Sequence, residues 1–432
     1  VTAAMDSLFT TASALRDSST MIARGVLRDL RRTPTRSADP AVARTDFDPT
    51  DPAVIADPYD RLAELRRHRV VVNERLNVWM LARYDDVVTA ARAHDVLSSS
   101  SGILLRSAPL PGVVSTDEPD HTRLRRVTAP VFTPAGVRRL QTALEQFVAP
   151  GVRAVASGGV VDVVPALTRP LPISAIAMLL GIDRSRWRDF ARYSDDFTAM
   201  FAARSLAGIT GSTTRALPGM LAVRRLILAE LNRRAPGDDD VLGRVKAALE
   251  DGDMSMLEAL IAAIILLVAG SETTTNLLGI LLMELARNPR LYGRLRAQRD
   301  LIPAAIEEAL RWGSPVQWVA RTTTAPYPVG GVTIPAHARV VLFYAGANRD
   351  PEHFENPDEF DIDRGAIRHL TFGHGAHYCM GAHLARLEAQ VVLNQIFDAV
   401  PRLEVAGPVV WTTTPSLSGP RSVPVQKRSE AA

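Results

Sequence analysis

The chain of 432 residues is 47% hydrophobic and 22% charged, the composition of an ordinary globular protein. Its formal charge of +3 is carried almost wholly by arginine, with lysine only at Lys246 and Lys427. The basic residues are scattered rather than gathered into a tract, which speaks against nucleic-acid binding, and a single cysteine excludes an intramolecular disulfide and fits a reducing cytoplasm.

Residues 1–45 place Leu8, Ala12, Leu15, Ile22, Leu27 and Leu30 at helical spacing among Arg24, Arg28, Arg31 and Arg32. They contain no continuous apolar core of signal-peptide length. The segment therefore reads as an amphipathic or partly disordered extension, packed on the body or lying on a membrane surface. No Pro/Ser/Gly-rich linker divides the remainder, so residues 46–432 are expected to form one domain.

Residues 52–67 carry one helical stripe through Tyr59, Leu62 and Leu65. Residues 70–74 and 78–82 then read as two short strands around a turn. The stretch 98–114 is irregular yet holds Ile103, Leu104 and Leu105, so this loop is expected to cover a ligand. Asp117 or Asp120 would cap the short helix that follows. Helical patterning dominates 134–311, strand character returns over 328–345 around Gly330-Gly331, and the chain is helical again from Cys379 to about residue 399. The fold class is mostly α with small β-sheets.

One helix, over 255–289, would span roughly 50 Å. Its longest uninterrupted apolar run, 259–270, falls short of the ~20 residues of a membrane span. Apolar nearly all round, it belongs inside protein. Yet Gly270, Glu272 and Thr273 sit at its centre, where an unpaired carboxylate is costly. Either the threonines bond back to the preceding turn in a structural kink, or the helix breaks locally around a proton carrier and a hydroxyl.

The run HLTFGHGAHYCMGAHLAR, residues 369–386, contains the lone cysteine. Three readings compete for Cys379. It is a core thiol, a zinc ligand with His374, His377 and His383, or the one protein ligand to an iron whose other equatorial positions a porphyrin fills. Gly373, Gly375 and Gly381 favour the third, because they let backbone pass flat beneath a planar ring. A helix beginning at the cysteine would stabilise its thiolate.

Phe372-Gly373-His374-Gly375-Ala376-His377-Tyr378-Cys379-Met380-Gly381 resembles the cysteine-ligand loop of the cytochromes P450. Ala269-Gly270-Ser271-Glu272-Thr273-Thr274 resembles that family's oxygen-activating segment, and Glu308-Ala309-Leu310-Arg311 is similar to its Glu-x-x-Arg element. The three occur in the family's order and spacing. The resemblance implies a single-domain cytochrome P450 fold carrying haem b (iron protoporphyrin IX). It further implies a monooxygenase that inserts one atom of dioxygen into a C–H or C=C bond of a mainly apolar small molecule.

By the same resemblance, Cys379 would be the axial iron ligand, with Phe372 and Gly381 in its loop against the cofactor. Glu272 and Thr273 would deliver protons, while Ala269 and Gly270 leave room above the iron. His121, Arg125, Arg321 and His377 would hold the haem propionates, and Glu308–Arg311 would be a structural ion pair. Where many members add an arginine to that pair, this chain has Glu359, with Arg364 nearby as a candidate replacement. Electrons are expected from a ferredoxin and its reductase, docking against Arg123, Arg126, Arg138, Arg139 and Arg386. Candidate substrate-lining residues are Ile103, Leu104, Leu105, Met200, Leu266, Val316, Val319 and Leu417. A cytoplasmic monomer without a transmembrane segment is expected; the alternatives are a hydrogen-peroxide-using peroxygenase and a zinc-binding structural protein.

Overall fold

The structure, a computed structural model, describes residues 42–183, 186, 206–235 and 238–429, together with positions 25, 27, 29, 31 and 32. Met200 and the N-terminal stripe, apart from Leu27, Arg31 and Arg32, lie outside the described residues.

The chain opens with β1 (Ala43–Arg44) and two short helices, α1 (Pro52–Ala56) and α2 (Tyr59–Arg66), where the sequence suggests one. Pro58 explains the split, since it forces extended backbone on Asp57 (φ −151°). The hairpin β2 (Val71–Asn73) and β3 (Val78–Leu81) follows, then α3 (Tyr84–Arg92) and β4 (Leu97–Ser98).

After the loop come α4 (Asp120–Thr128), α5 (Pro134–Arg138), α6 (Gln141–Ala156), β5 (Val160–Asp162) and α7 (Pro170–Leu180). Neither Asp117 nor Asp120 caps α4. The Asp117 carboxylate is taken by Ser98 Oγ and the Ser99 amide, and the Glu118 carboxylate accepts from the Thr122 amide instead.

Next are α8 (Leu206–Arg233), α9 (Val241–Glu250), α10 (Met256–Arg287), α11 (Pro289–Ala297) and α12 (Ile302–Gly313). Strands β6 (Val319–Thr323), β7 (Tyr327–Val329), β8 (Val332–Ile334) and β9 (Arg339–Leu342) lead to α13 (Tyr344–Asn348), so strand character ends three residues before 345. The chain closes with α14 (Ala382–Ala399), β10 (Arg402–Val405), β11 (Val410–Trp411), β12 (Pro420–Ser422) and β13 (Pro424–Arg428).

The main sheet runs β1-β2-β3-β9-β6-β4, parallel at β1/β2 and β3/β9 and antiparallel elsewhere. Its central strands β3 and β9 are buried at every residue, hence their unbroken apolar character. The helices surround α10, which is packed against α7, α12 and α14. By length and apolarity α10 would pass as a membrane span, but it runs through the largest hydrophobic cluster of the molecule.

Helix α10 starts at a reciprocal cap. The Glu258 amide donates to Ser255 Oγ and the Ser255 amide to the Glu258 carboxylate. It then continues without interruption for 32 residues, so the local break at its centre does not form. Instead Ser271, Thr273 and Thr275 donate to the carbonyls four residues back (Leu267, Ala269 and Ser271, at 2.6, 2.7 and 2.8 Å). Each hydroxyl satisfies itself inside the helix, which removes the need for a gap.

Candidate functional site

The cysteine loop is shaped by Gly373 and Gly375, with φ of 73° and 71°, a region that side chains rarely adopt. Gly375 also lies against α3, where a Cβ would come within 2.8 Å of the Ala91 carbonyl. The Cys379 amide closes the loop on the Phe372 carbonyl at 2.8 Å. Cys379 does not itself begin the helix. It precedes α14 by three residues, and Gly381 (φ −78°) is the N-cap.

That offset aims the free amides of Gly381 and Ala382 at the thiol. Burial pushes the thiol upward, while these two amides and the charges of Arg125 and Arg386 work against it. The residue keeps accessible surface although protein atoms surround it, so the sulfur faces an internal concavity.

The zinc arrangement does not assemble. His374 accepts from Arg92 Nε at 2.7 Å, His377 lies beside Ser99, and His383 is exposed on α14. Among the described residues no three His, Cys, Asp or Glu side chains converge on a metal site.

At the centre of α10, Ala269 is exposed although the helix on either side is largely buried. Gly270 does not share this role. A Cβ there would meet Ile176 Cδ1 of α7 at 2.4 Å, so the glycine permits helix–helix contact rather than space on the open face. Glu272 follows, its carboxyl raised by burial and drawn down in part by Arg169 and Arg421. A raised carboxyl keeps its proton to higher pH, as a donor requires.

A third group of side chains gathers from four parts of the chain. The His121 and His377 rings lie 4.4 Å apart, and Ser99 Oγ is 3.0 Å from His377 Nε2. Arg125 reaches the Tyr378 carbonyl at 2.8 Å. Among the described residues Arg321, 6% exposed, donates only to the Ala320 carbonyl. His121 Nε2 is buried with no partner. Burial, then the neighbouring Arg321, His121, Arg125 and His94, hold His377 down at about 3. Cationic groups crowded together with unused donors fit a bound anion such as a carboxylate.

A family model described as cytochrome P450 matches residues 232–399. A beta-dihydromenaquinone-9 omega-hydroxylase of Mycobacterium tuberculosis is 39% identical over 87% of this chain and 77% of its own. The chain belongs to the cytochrome P450 family. A cyclomarin C epoxidase of Salinispora arenicola is 36% identical over 85% of this chain and 95% of its own. The crystal structure of a cytochrome P450 from Bacillus subtilis superposes with a TM-score of 0.78 at 28% identity, over 86% of this chain and all of that one. The protein is a P450 monooxygenase, and its family cofactor is haem iron. The thiol with its two amides, and the Arg125 and Arg321 guanidiniums gathered beside the unpartnered His121 Nε2, fit that group, whose propionates are anions.

The Glu-x-x-Arg element of this P450 is a wholly buried ion pair. Arg311 Nε and Nη2 each reach a Glu308 carboxylate oxygen at 2.7 Å, and both side chains are 0% exposed. Arg311 also donates to the carbonyls of Asn348, Pro357 and Glu359. Arg364 supplies the third partner, with Nε 3.1 Å from Glu308 Oε1. Glu359 contributes its backbone carbonyl only, shared by Arg311 and Arg364.

A second pair joins α12 to α14 just behind the cysteine loop. Arg386 Nε and Nη2 bind the Glu307 carboxylate at 2.6 and 2.9 Å, with His369 Nε2 at 3.2 Å. Burial alone would raise Glu307, but the Arg386 and His369 contacts outweigh it and hold the carboxyl at about 2, against an ordinary 4.5. A lowered carboxyl stabilises the fold fully above its unfolded value, and this stability is lost as pH falls toward its folded value. Melting midpoints are therefore expected to drop between pH 4.5 and 2 more steeply in wild-type protein than in Glu307→Gln; parallel curves would exclude the linkage.

Most of the arginines expected to dock the electron donor carry intramolecular partners. Arg123 pairs with Asp120 and Glu258, Arg126 with Asp253, Arg139 with Asp239 and Arg386 with Glu307. Arg138 is exposed. Of the lining candidates, Ile103, Val316 and Val319 pack into the cluster around the main sheet, Leu105 packs against a second cluster, and Leu266 joins the largest. Val316 bridges to Leu417.

Sequence reasoning missed Ser99 beside His377. It also missed Glu388, buried on α14 with both oxygens unpartnered and its carboxyl raised well above normal by burial. The available signal for Glu388 was a lone acid on the apolar stripe of Leu384, Val391 and Val392.

Proposed function

We propose that Cys379 is the axial ligand of haem b, with Phe372 and Gly381 framing its loop, and that His121, Arg125, Arg321 and His377 hold the propionates. Bound haem iron supplies the activation of dioxygen. The rest is done by the chain itself. Ala269 leaves space on the open face of α10, Gly270 seats that helix on α7, and Glu272 with Thr273 holds and passes protons there. Residues 46–432 form the haem-thiolate domain and residues 1–45 an extension.

The substrate is a mainly apolar small molecule, oxidised at a C–H or C=C bond. The activity of the Mycobacterium tuberculosis relative, omega-hydroxylation of a dihydromenaquinone, supports this reading. Electrons come from a ferredoxin and its reductase to a cytoplasmic monomer. The raised Glu272 carboxyl beside Thr273 favours this dioxygen route over direct use of hydrogen peroxide, because only the former consumes delivered protons.

The observation that carries the proposal is the Cys379 thiol, turned into a concavity with the Gly381 and Ala382 amides aimed at it. Reduced protein under carbon monoxide is expected to show the strongly red-shifted Soret band of thiolate-bound haem. Cys379→His abolishes that band. A band of histidine-ligated haem in intact wild-type protein would refute the assignment.

A further inference from the structure

The loop between β4 and α4 is held from two sides, and one of them belongs to the N-terminal extension. Four successive carbonyls are each engaged. Arg339 Nη2 binds the Gly102 carbonyl at 2.7 Å, the Ala320 amide binds Ile103 at 2.8 Å, and Arg339 Nε binds Leu104 at 3.1 Å. These three ties come from β6 and β9 of the main sheet. The fourth carbonyl, of Leu105, is bound at 2.8 Å by Arg32 Nη2, which also reaches Ser107 Oγ at 3.2 Å.

Asp29 completes the arrangement. Its carboxylate pairs with Arg32 at 2.5 Å and accepts from the Ser107 amide at 3.1 Å. The Arg32 side chain is 8% exposed and that of Asp29 24%, so neither is a loosely solvated surface charge. The backbones themselves touch, since a Cβ on Gly25 would lie 2.5 Å from the Ser107 carbonyl. Beyond Pro109 the loop meets α10, where a Cβ on Gly112 would lie 2.5 Å from Ile265, one turn before Ala269. Among the described residues, the Ala108 amide bonds the Ser101 carbonyl at 2.9 Å within the loop itself, and the hydrogen bonds that tie 105–109 to parts of the chain outside that loop come from Asp29 and Arg32.

We propose that Asp29 and Arg32 are positioning residues that hold residues 105–107 to the N-terminal extension, so that the extension sets how fast an apolar ligand enters and leaves the space in front of Ala269. The inference rests on reading that space as the substrate chamber of the haem site. Such a clamp acts on rates more than on affinity, because opening the loop speeds entry and escape together.

The test uses full-length haem-loaded protein, with Arg32→Ala, Arg32→Lys and Asp29→Asn compared with wild type. Hydrogen exchange at the Ser107 amide, which donates to Asp29, reports the clamp directly, and loss of one charge-assisted bond is expected to speed it roughly 10- to 100-fold. Stopped-flow binding of imidazole and of bulkier 4-phenylimidazole reports access. In Arg32→Ala, association and dissociation of 4-phenylimidazole rise together by roughly 10-fold, while imidazole rates stay near wild type. Arg32→Lys and Asp29→Asn, milder changes to the fold, give the same ordering with smaller rises. Faster exchange with unchanged 4-phenylimidazole rates would overturn the clamp while leaving the haem reading intact. Absence of the red-shifted carbon monoxide band in wild-type protein would overturn both.

Discussion

Replacing Arg311 by alanine is expected to cost about 3–5 kcal/mol of folding stability, the range for removing one partner of a fully buried ion pair. The loss has two sources. Glu308 keeps only its contacts with Arg364 and the Asp361 amide. The carbonyls of Asn348 and Pro357 lose their donor from Arg311 altogether. Arg311→Lys recovers little, because an ammonium cannot span both carboxylate oxygens and three carbonyls as the planar fork does. Denaturant unfolding of the purified variants measures this. A free-energy change within about 0.5 kcal/mol of zero, as for an ordinary surface substitution, would show that the network does not support the core.

Thr273→Ala is expected to slow the proton-delivery step by roughly 100- to 10,000-fold. In the resting structure the Thr273 hydroxyl donates to the Ala269 carbonyl, so its oxygen is left to act as an acceptor. Donating a proton requires that bond to be given up, at about 1 kcal/mol, with Glu272 as the source of replacement. The alanine variant loses this relay but none of the groups proposed to hold the cofactor. Haem content and first reduction should persist, while reducing equivalents appear as hydrogen peroxide rather than product.

The sign of the pH dependence follows from Glu272. Its raised carboxyl is a donor while protonated, so coupling in wild-type protein declines as pH climbs through its folded value. Glu272→Gln should remove that decline. The measurement is the ratio of product to electrons consumed, and a Thr273→Ala ratio equal to wild type would remove Thr273 from the relay.

Local signals carried the parts of this molecule that are written in neighbouring residues. The only thiol sits among glycines ahead of the apolar stripe of α14, and the apolar run 259–270 marks α10 as a buried helix. The hairpin β2–β3 follows from short apolar runs around a turn. What stayed hidden depends on partners far along the chain. Gly270 suggested open space, and only the position of Ile176, 94 residues earlier, reveals it as a contact point with α7. Likewise nothing near Arg126 in the sequence announces Asp253, the partner that folding brings to it. Asp117 was misassigned because Ser98 and Ser99 offer its carboxylate better partners than the helix end does.

The support of Glu308 has a consequence for how this lineage can vary. Because Arg364 approaches from beyond Asp361, while position 359 lends only its main chain, the second cation on Glu308 is specified by location in space and not by place in the sequence. The two positions are therefore a coupled pair. Arginine introduced at 359 alone would crowd a carboxylate that already has two cations. Loss of Arg364 alone would leave it one short. Only an exchange made at both positions at once keeps two cations on Glu308, so the double variant is expected to be more stable than either single one.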